Sequence, residues 1–335
     1  MDFCERERSQ HRLGLTLAFG TLLFSGTSNA LAKGLTPFLS PMTLLILTES
    51  LTAFFIIMTF GLVPLLRELK KMDAKSIRMC IIVGLLNSAI APLLWYTGLA
   101  RTSAGNASIL SSADMVCMLI FGYWLLREPM SRLRLMGAAV VVAGIGIVNV
   151  ASLQSFSMHA GDLWVLSSAF VFGTGAVLFK KYLSHVMPEL AIAIRNVAGI
   201  TIVFIVSLFF RYSFIDEVMA FPMEKVILLL AFAFFSRYLS LSFFYEALDR
   251  LPATTFSLIQ IANPLSGLVF AMLILGENIE SYQILGGLFI VFGLLLEQCS
   301  EHALQSLRSH WLYFHFPLKR RAEMAREIQM LPKHI

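Results

Sequence analysis

Four charged side chains sit deep inside long apolar stretches of this sequence: Glu49, Asp114, Arg195 and Arg237. A charge at the centre of a bilayer costs at least about 2.5–3.5 kcal/mol on insertion scales, so such residues face the interior of a helix bundle and have a task there. At about 1.5 Å of rise per residue, Asp114 and Arg237 fall near the middle of their stretches. Glu49 lies a few ångström toward one surface and Arg195 toward the other, roughly 11 Å apart in depth, which is too far for a direct bond. Two chemistries fit an acid and a guanidinium at one depth. They can be the charged walls of a cavity that binds a solute of complementary charge, with Asp114 also able to exchange a proton. Alternatively they pair with each other, stabilise the bundle and bind nothing.

The chain repeats itself at a constant shift of 149 residues. The shift pairs Tyr96 with Tyr245, Arg101 with Arg250, Ser108 with Ser257, Glu128 with Glu277, Gly137 with Gly286 and Gly144 with Gly293, without a gap. A duplicated membrane half is the mark of many transporters. The shift also sets Asp114 against Asn263, and Arg237 against Ser88, which follows Asn87. Four stretches thus bring polar groups to one level. Two prolines fall beside them. Proline leaves the carbonyl four residues earlier without its donor. Pro264 frees the carbonyl of Gln260, next to Asn263, and Pro92 frees that of Ser88. Freed carbonyls at mid-depth can hold a cation or a solute's donors, or a packing kink can leave them to a neighbouring helix or water. The candidate solute-binding residues are therefore Asp114, Arg237, Asn263, Asn87, Ser88, Gln260, Glu49 and Arg195, with helix breaks at Pro92 and Pro264.

Long helices must hold these residues. Of the 335 residues, 57% are hydrophobic and only 14% charged, against about 25% charged in soluble domains. Roughly 20 apolar residues span a bilayer core. Ten stretches qualify, near 13–32, 42–63, 79–99, 105–126, 133–150, 161–182, 189–210, 225–247, 254–275 and 281–298. The expected fold class is an all-α membrane protein of ten transmembrane helices. Its parts are a short N-terminus (1–12), a first half (13–150), a second half (161–298) and a basic, aromatic tail (299–335). Segment 13–32 ends in Ala30-Leu31-Ala32, which resembles a leader cleavage site. Its match between 26–33 and 173–180 argues for a retained helix, because a leader has no reason to resemble an internal segment.

Several function classes drop out. The pI near 9.1 comes from loops and tail, not from a basic face interleaved with aromatics, so no nucleic acid is expected. Cys4, Cys80, Cys117 and Cys299 form no CxxC pair, and neither a disulfide framework nor a zinc site is expected. His302, His310 and His315 share no metal spacing. No metal and no cofactor are expected. No G-x-x-x-x-G-K-[ST] stretch occurs, so ATP is not the direct driver.

Lys and Arg in alternate loops set the orientation. Twenty of them fall on the side of the two termini, among them Arg67, Lys70, Lys71, Lys180, Lys181 and Arg250; Lys33, Arg101, Arg211 and Lys225 fall on the other. Both termini are therefore expected in the cytoplasm, which needs an even number of helices. Five helices per half is an odd number, so the second half enters from the opposite face. The two halves form an inverted-topology pair, which can exchange inward-open and outward-open forms.

Particular residues carry a family resemblance. Each half has a helix-end acid followed by a glycine-containing helix, Glu128 with GAAVVVAGI and Glu277 with GGLFIVFG. Tyr245, Ala247 and Leu248 precede Pro252-Ala253, and GDLWVLSSAFVFGTGAVLFKK opens the second half. In these the chain resembles a ten-helix permease of the drug/metabolite transporter superfamily with two EamA-type repeats, over about 13–298. The resemblance implies an all-helical fold with a central substrate cavity, and it assigns no substrate residues. Gly98 and Ser103 depart from the second half's Ala247 and Pro252.

Other signals read as structure. Gly137/Gly144 and Gly286/Gly293 are seven apart, hence on one helix face, where they allow close helix approach. Glu128 and Glu277 cap or gate loops. Trp95, Tyr96, Trp124, Trp164 and Tyr245 read as interface anchors. Trp311, Tyr313, Phe314 and Phe316 before Lys319-Arg320-Arg321 suit the lipid surface on the cytoplasmic side. The function expected is a secondary transporter, an exporter of a small organic metabolite or drug-like solute, multi-pass in the cytoplasmic (plasma or inner) membrane. Its partners are solute and lipid, with proton coupling through Asp114 as an option. The alternatives are a non-transporting sensor or assembly subunit and a membrane-embedded enzyme. The latter needs acids or histidines clustered at one membrane face, whereas here they are dispersed. The orientation has a direct check in a variant with its four cysteines replaced by serine. A membrane-impermeant maleimide is expected to label Thr36→Cys from outside intact cells and Lys75→Cys only after the membrane is opened.

Overall fold

In lipid a crossing segment has no water to satisfy its N–H and C=O groups, and a helix satisfies them within itself. The computed structural model describes residues 3–126, 132–154, 160–183, 186, 188–209, 214–251, 256 and 259–296, and every regular element among them is helical. The helices are α1 (Phe3–Leu35), α2 (Pro41–Phe60), α3 (Leu62–Lys71), α4 (Ala74–Leu99), α5 (Ala104–Leu126), α6 (Arg132–Gln154), α7 (Ala160–Leu183), α8 (Pro188–Phe209), α9 (Phe214–Ala220), α10 (223–250), α11 (Asn263–Leu275) and α12 (Ser281–Leu296). Seven spans within them are long and apolar enough to cross a membrane: Gln10–Leu35, Pro41–Phe60, Ala74–Leu99, Ala104–Leu126, Ala160–Leu183, Leu190–Ser207 and Met223–Phe244. Of the other stretches expected to cross, 254–275 and 281–298 correspond to the shorter α11 and α12, and 133–150 falls within α6. Glu128, Pro252, Ala253, the Tyr245 side chain and the tail, with its aromatics and histidines, lie outside the described residues.

Local chemistry starts and stops these helices. Ser40 Oγ accepts from Thr43 N–H at 3.3 Å with Pro41 at the first turn of α2, the position that tolerates proline's missing donor. Asp73 Oδ2 accepts from the N–H groups of Lys75 and Ser76 at 3.1 and 3.2 Å and caps α4. Hydrogen bonds from Ser76 and then Lys75 hold the Asp73 carboxyl below its ordinary range. Gly276 closes α11 at φ 68°, a left-handed conformation that glycine adopts without penalty.

Two irregularities recur in both halves. α4 widens into a π-helical turn at Leu85–Ile90, and α10 does so at Phe232–Leu239. In these turns Ala91 N–H bonds the Leu86 carbonyl and Ser240 N–H the Phe235 carbonyl, pairs that are themselves 149 apart. Pro92 follows the first turn, yet the second half has Leu241 at the matching position, so proline is not the shared cause. π turns are common at functional sites. The second irregularity is a tight turn that interrupts α5 at Ser111–Ser112 and precedes α11 at Ile261–Ala262. Ser111 Oγ donates back to the Ala107 carbonyl at 2.6 Å in the first, a bond that bends helices. Pro264 in the first turn of α11 accounts for the second.

Packing is reciprocal too. α7 lies along the last part of α4 and along α5, and α1 lies along the last part of α10 and along α11. A Cβ on Gly144 would sit 2.7 Å from the Gly286 carbonyl oxygen, and one on Gly293 would sit 2.6 Å from that of Gly137. Residues 137 to 144 therefore run against 293 to 286, and α6 and α12 cross at their glycines in opposite directions. Tyr96, Phe232, Leu44, Leu45, Leu99 and Ile109 fill the centre with no exposed surface. Large apolar side chains such as Met58, Trp124, Leu135 and Ile227 cover the outside, which suits a molecule whose solvent is lipid. Gly144→Ala is expected to lower stability by about 1–3 kcal/mol, the usual range for overpacking. Gly146→Ala has nothing within 4 Å of its new atom and is expected to leave it unchanged. Thermal unfolding in detergent measures both.

Candidate functional site

Arg237 enters the bundle on the π turn of α10, and its Nη2 forms an ion pair with Glu49 Oε1 on α2. Glu49 has no exposed surface, whereas the Arg237 side chain is 27% exposed. The pair is joined through one atom on each side, since Glu49 Oε2 and Arg237 Nε are buried without a hydrogen-bond partner. Beside it Thr48 Oγ1 and the Tyr96 hydroxyl share a 3.0 Å hydrogen bond, and the Tyr96 ring meets Phe232 edge-on at 6.4 Å. Tyr96 is thus a core residue at the ion pair and not an interface anchor. The apolar run around it hid this, because depth alone does not say which way a ring points.

The exposed part of Arg237 faces a cavity. Its polar lining is Arg237, Asn87 from α4, Ser111 and Asp114 from α5, and Ser168 from α7. The apolar wall is Ala91, Pro92, Trp95, Ala169 and Phe172. The cavity is small, with about 180 Å³ of free space. Two glycines of α7 bring the polar groups in. A Cβ at Gly173 would lie 2.8 Å from the Asp114 carbonyl oxygen, and one at Gly175 would collide with Asn87 Oδ1. Asn87 is 5% exposed, and its Oδ1 has no hydrogen-bond partner. Among the described residues no ion pair involves Asp114. The cavity therefore presents one cation held from behind and one carboxylate.

The remaining candidates lie outside this lining. Ser88 Oγ donates to Asn196 Oδ1 at 3.3 Å on α8. Arg195 packs its backbone against Gly84 of α4. Asn263 Oδ1 accepts from Ser25 Oγ at 2.8 Å, and Gln260 Nε2 donates to the Ala18 carbonyl at 3.0 Å, so both fasten α1. The Pro264 carbonyl accepts from Ser108 Oγ at 3.1 Å. Thr27 and Ser236, the residue equivalent to Asn87, share a 2.7 Å hydrogen bond. The positions that form the cavity's polar wall in one half are thus knitted together in the other. Sequence reasoning ruled out a Glu49–Arg195 bond by depth and placed Arg237 with Asp114, either as cavity walls or as a pair. It did not pair Glu49 with Arg237, and it missed the parts played by Ser111, Ser168, Trp95 and Phe172. The match of 26–33 with 173–180 held a usable signal for α7: it sets Gly173 against Gly26, and Gly26 also stands in close contact with its neighbour. Among the described residues no group of three or more His, Cys, Asp or Glu could hold a metal ion.

Known proteins share this chain's pattern. The model of the EamA-like transporter family matches residues 12–150 and again 159–297. An uncharacterized transporter of Methanothermobacter thermautotrophicus is 26% identical over 223 residues, 64% of this chain. The chain spans 63% of the length of that relative. A probable amino-acid metabolite efflux pump of Salmonella typhimurium is 26% identical over 201 residues, 58% of this chain and 67% of its own. The probable amino-acid metabolite efflux pump of Escherichia coli is 26% identical over 199 residues, again 58% of this chain and 67% of its own. A solved chain described only as the crystal structure of a protein superposes with a TM-score of 0.59 at 14% identity, covering 87% of this chain and 98% of its own; the likeness is one of fold. The ion pair has its own check. Arg237→Met strands a buried carboxylate and is expected to cost about 3–5 kcal/mol, while adding Glu49→Leu recovers most of the loss. Thermal unfolding of the two variants measures the difference.

Proposed function

The chain belongs to the EamA-like transporter family, and we propose that it is a secondary exporter of a small zwitterionic solute of the amino-acid type. The observation that carries this reading is the cavity in which Arg237 and Asp114 stand as unlike charges, unpaired with each other. A solute carboxylate fits the guanidinium, where a planar fork suits two oxygens. A solute ammonium fits Asp114. The apolar wall with Trp95 and Phe172 leaves room for a side chain. Relatives named as amino-acid metabolite efflux pumps support the substrate class and the direction.

Movement is by alternating access of two five-helix halves of inverted topology, with both termini in the cytoplasm and the chain in the cytoplasmic membrane. The repeat at a shift of 149, the matched π turns and the antiparallel glycine crossing of α6 and α12 support this. Inverted halves carry a midplane site from one face to the other by exchanging conformations. Asp114 takes a proton when the solute leaves and returns it when the next ammonium arrives, which couples export to the proton gradient. Flux in proteoliposomes tests the reading. The wild type is expected to carry a neutral amino acid in preference to the matching monocarboxylate. Asp114→Asn is expected to lose the preference, with the KM for the amino acid raised about tenfold or more, the usual scale for a charge-assisted contact of 1.5–3 kcal/mol. An Asp114→Asn variant with unaltered preference sinks the assignment.

A further inference from the structure

Two acids stand near Arg237, and one of them does not line the cavity. Asp114 lines it from α5, whereas Glu49 meets the guanidinium from α2, outside the lining and without exposed surface. A solute in the cavity therefore cannot touch Glu49. A guanidinium and a carboxylate in one small, poorly hydrated space attract each other strongly. Left alone, Arg237 and Asp114 would close the site on themselves. Glu49 takes the cation instead, and Asp114 is left without an ion partner among the described residues. The π turn that carries Arg237 sets it toward α2, and Thr48 and Tyr96 hydrogen-bond beside the pair. At the position equivalent to Arg237 the first half has the uncharged Ser88; no second pair of this kind arises there.

We propose that Glu49 is a positioning residue that withholds Arg237 from Asp114, keeping one free acid and one oriented cation for the two ends of the solute. Its purpose rests on the zwitterion reading above, but the arrangement itself can be read with no solute present. Dicyclohexylcarbodiimide is an apolar reagent that modifies protonated carboxylic acids inside membrane proteins. Mass spectrometry of the full chain then reports which acid reacted. In the wild type Asp114 is expected to be labelled and Glu49 protected. In Glu49→Gln the freed Arg237 pairs with Asp114, and labelling of Asp114 falls at least about tenfold, because a cation within about 4–6 Å favours the charged carboxylate by that factor or more. In Glu49→Gln/Arg237→Gln the competitor is gone and labelling returns. Equal labelling of Asp114 in wild type and Glu49→Gln overturns the proposal. So does a wild type in which Glu49 reacts and Asp114 does not, a pattern that needs no variant to fold. Arg237→Gln adds a further arm, since it is expected to expose Glu49 to the reagent; a Glu49 still protected there also overturns the proposal. The expected labelling together with no flux of any zwitterion overturns the substrate reading and leaves the positioning of charge standing.

Discussion

A charge removed from water has to find an opposite charge, and in this bundle that requirement is met at the pair of Glu49 and Arg237. The pair ties α2 to the widened turn of α10 and has the buried Tyr96 of α4 beside it. Three helices thus converge on one polar point inside an otherwise apolar core. The consequence for function lies in what the pair leaves over. The guanidinium is held from behind and keeps an open side toward the cavity. Asp114, a turn past the break in α5, keeps its carboxylate for another partner. A binding site for a zwitterion asks for unlike charges close together that do not cancel. In the proposed zwitterion site, the third charge, buried and outside the cavity lining, provides that.

The duplicated sequence supplies a scaffold in two copies, and the site arises where the copies differ. π turns, broken helices and glycine crossings occur in matched positions. Glycines allow backbones to meet at distances that a Cβ forbids, which matters where lipid offers no hydrophobic drive for helix association. Yet the polar wall of the cavity has no counterpart. Asn87 keeps an unpartnered acceptor while its equivalent Ser236 bonds Thr27, and Asp114 lines the cavity while its equivalent Asn263 bonds Ser25. The halves share their irregularities, and the polar lining of the cavity stands where they differ.

Much of the helical framework was legible in advance because lipid imposes simple rules. An apolar run of the right length becomes a helix, and Pro264 marks the break before α11. The glycines at 137, 144, 286 and 293 mark a close crossing by their spacing alone. Depth was legible as well, through the rise per residue, and it brought Asp114, Arg237 and Asn87 to one level. Rotation was not. Asn263 and Gln260 lie at suitable depths but turn toward α1, Ser88 turns toward α8, and Tyr96 turns inward to the ion pair. A helix that is apolar all round carries no amphipathic stripe to say which face looks where.

The sequence by itself determined a helical membrane chain, its duplication and the short set of charged residues for which apolar surroundings demand a purpose. These follow from local composition, because transfer into lipid is judged segment by segment. Tertiary structure alone decided that Arg237 binds Glu49, 188 residues away, and not Asp114. That choice depends on which helices stand side by side and how each is rotated. Both are set by the glycine contacts and the π turns acting across the whole bundle.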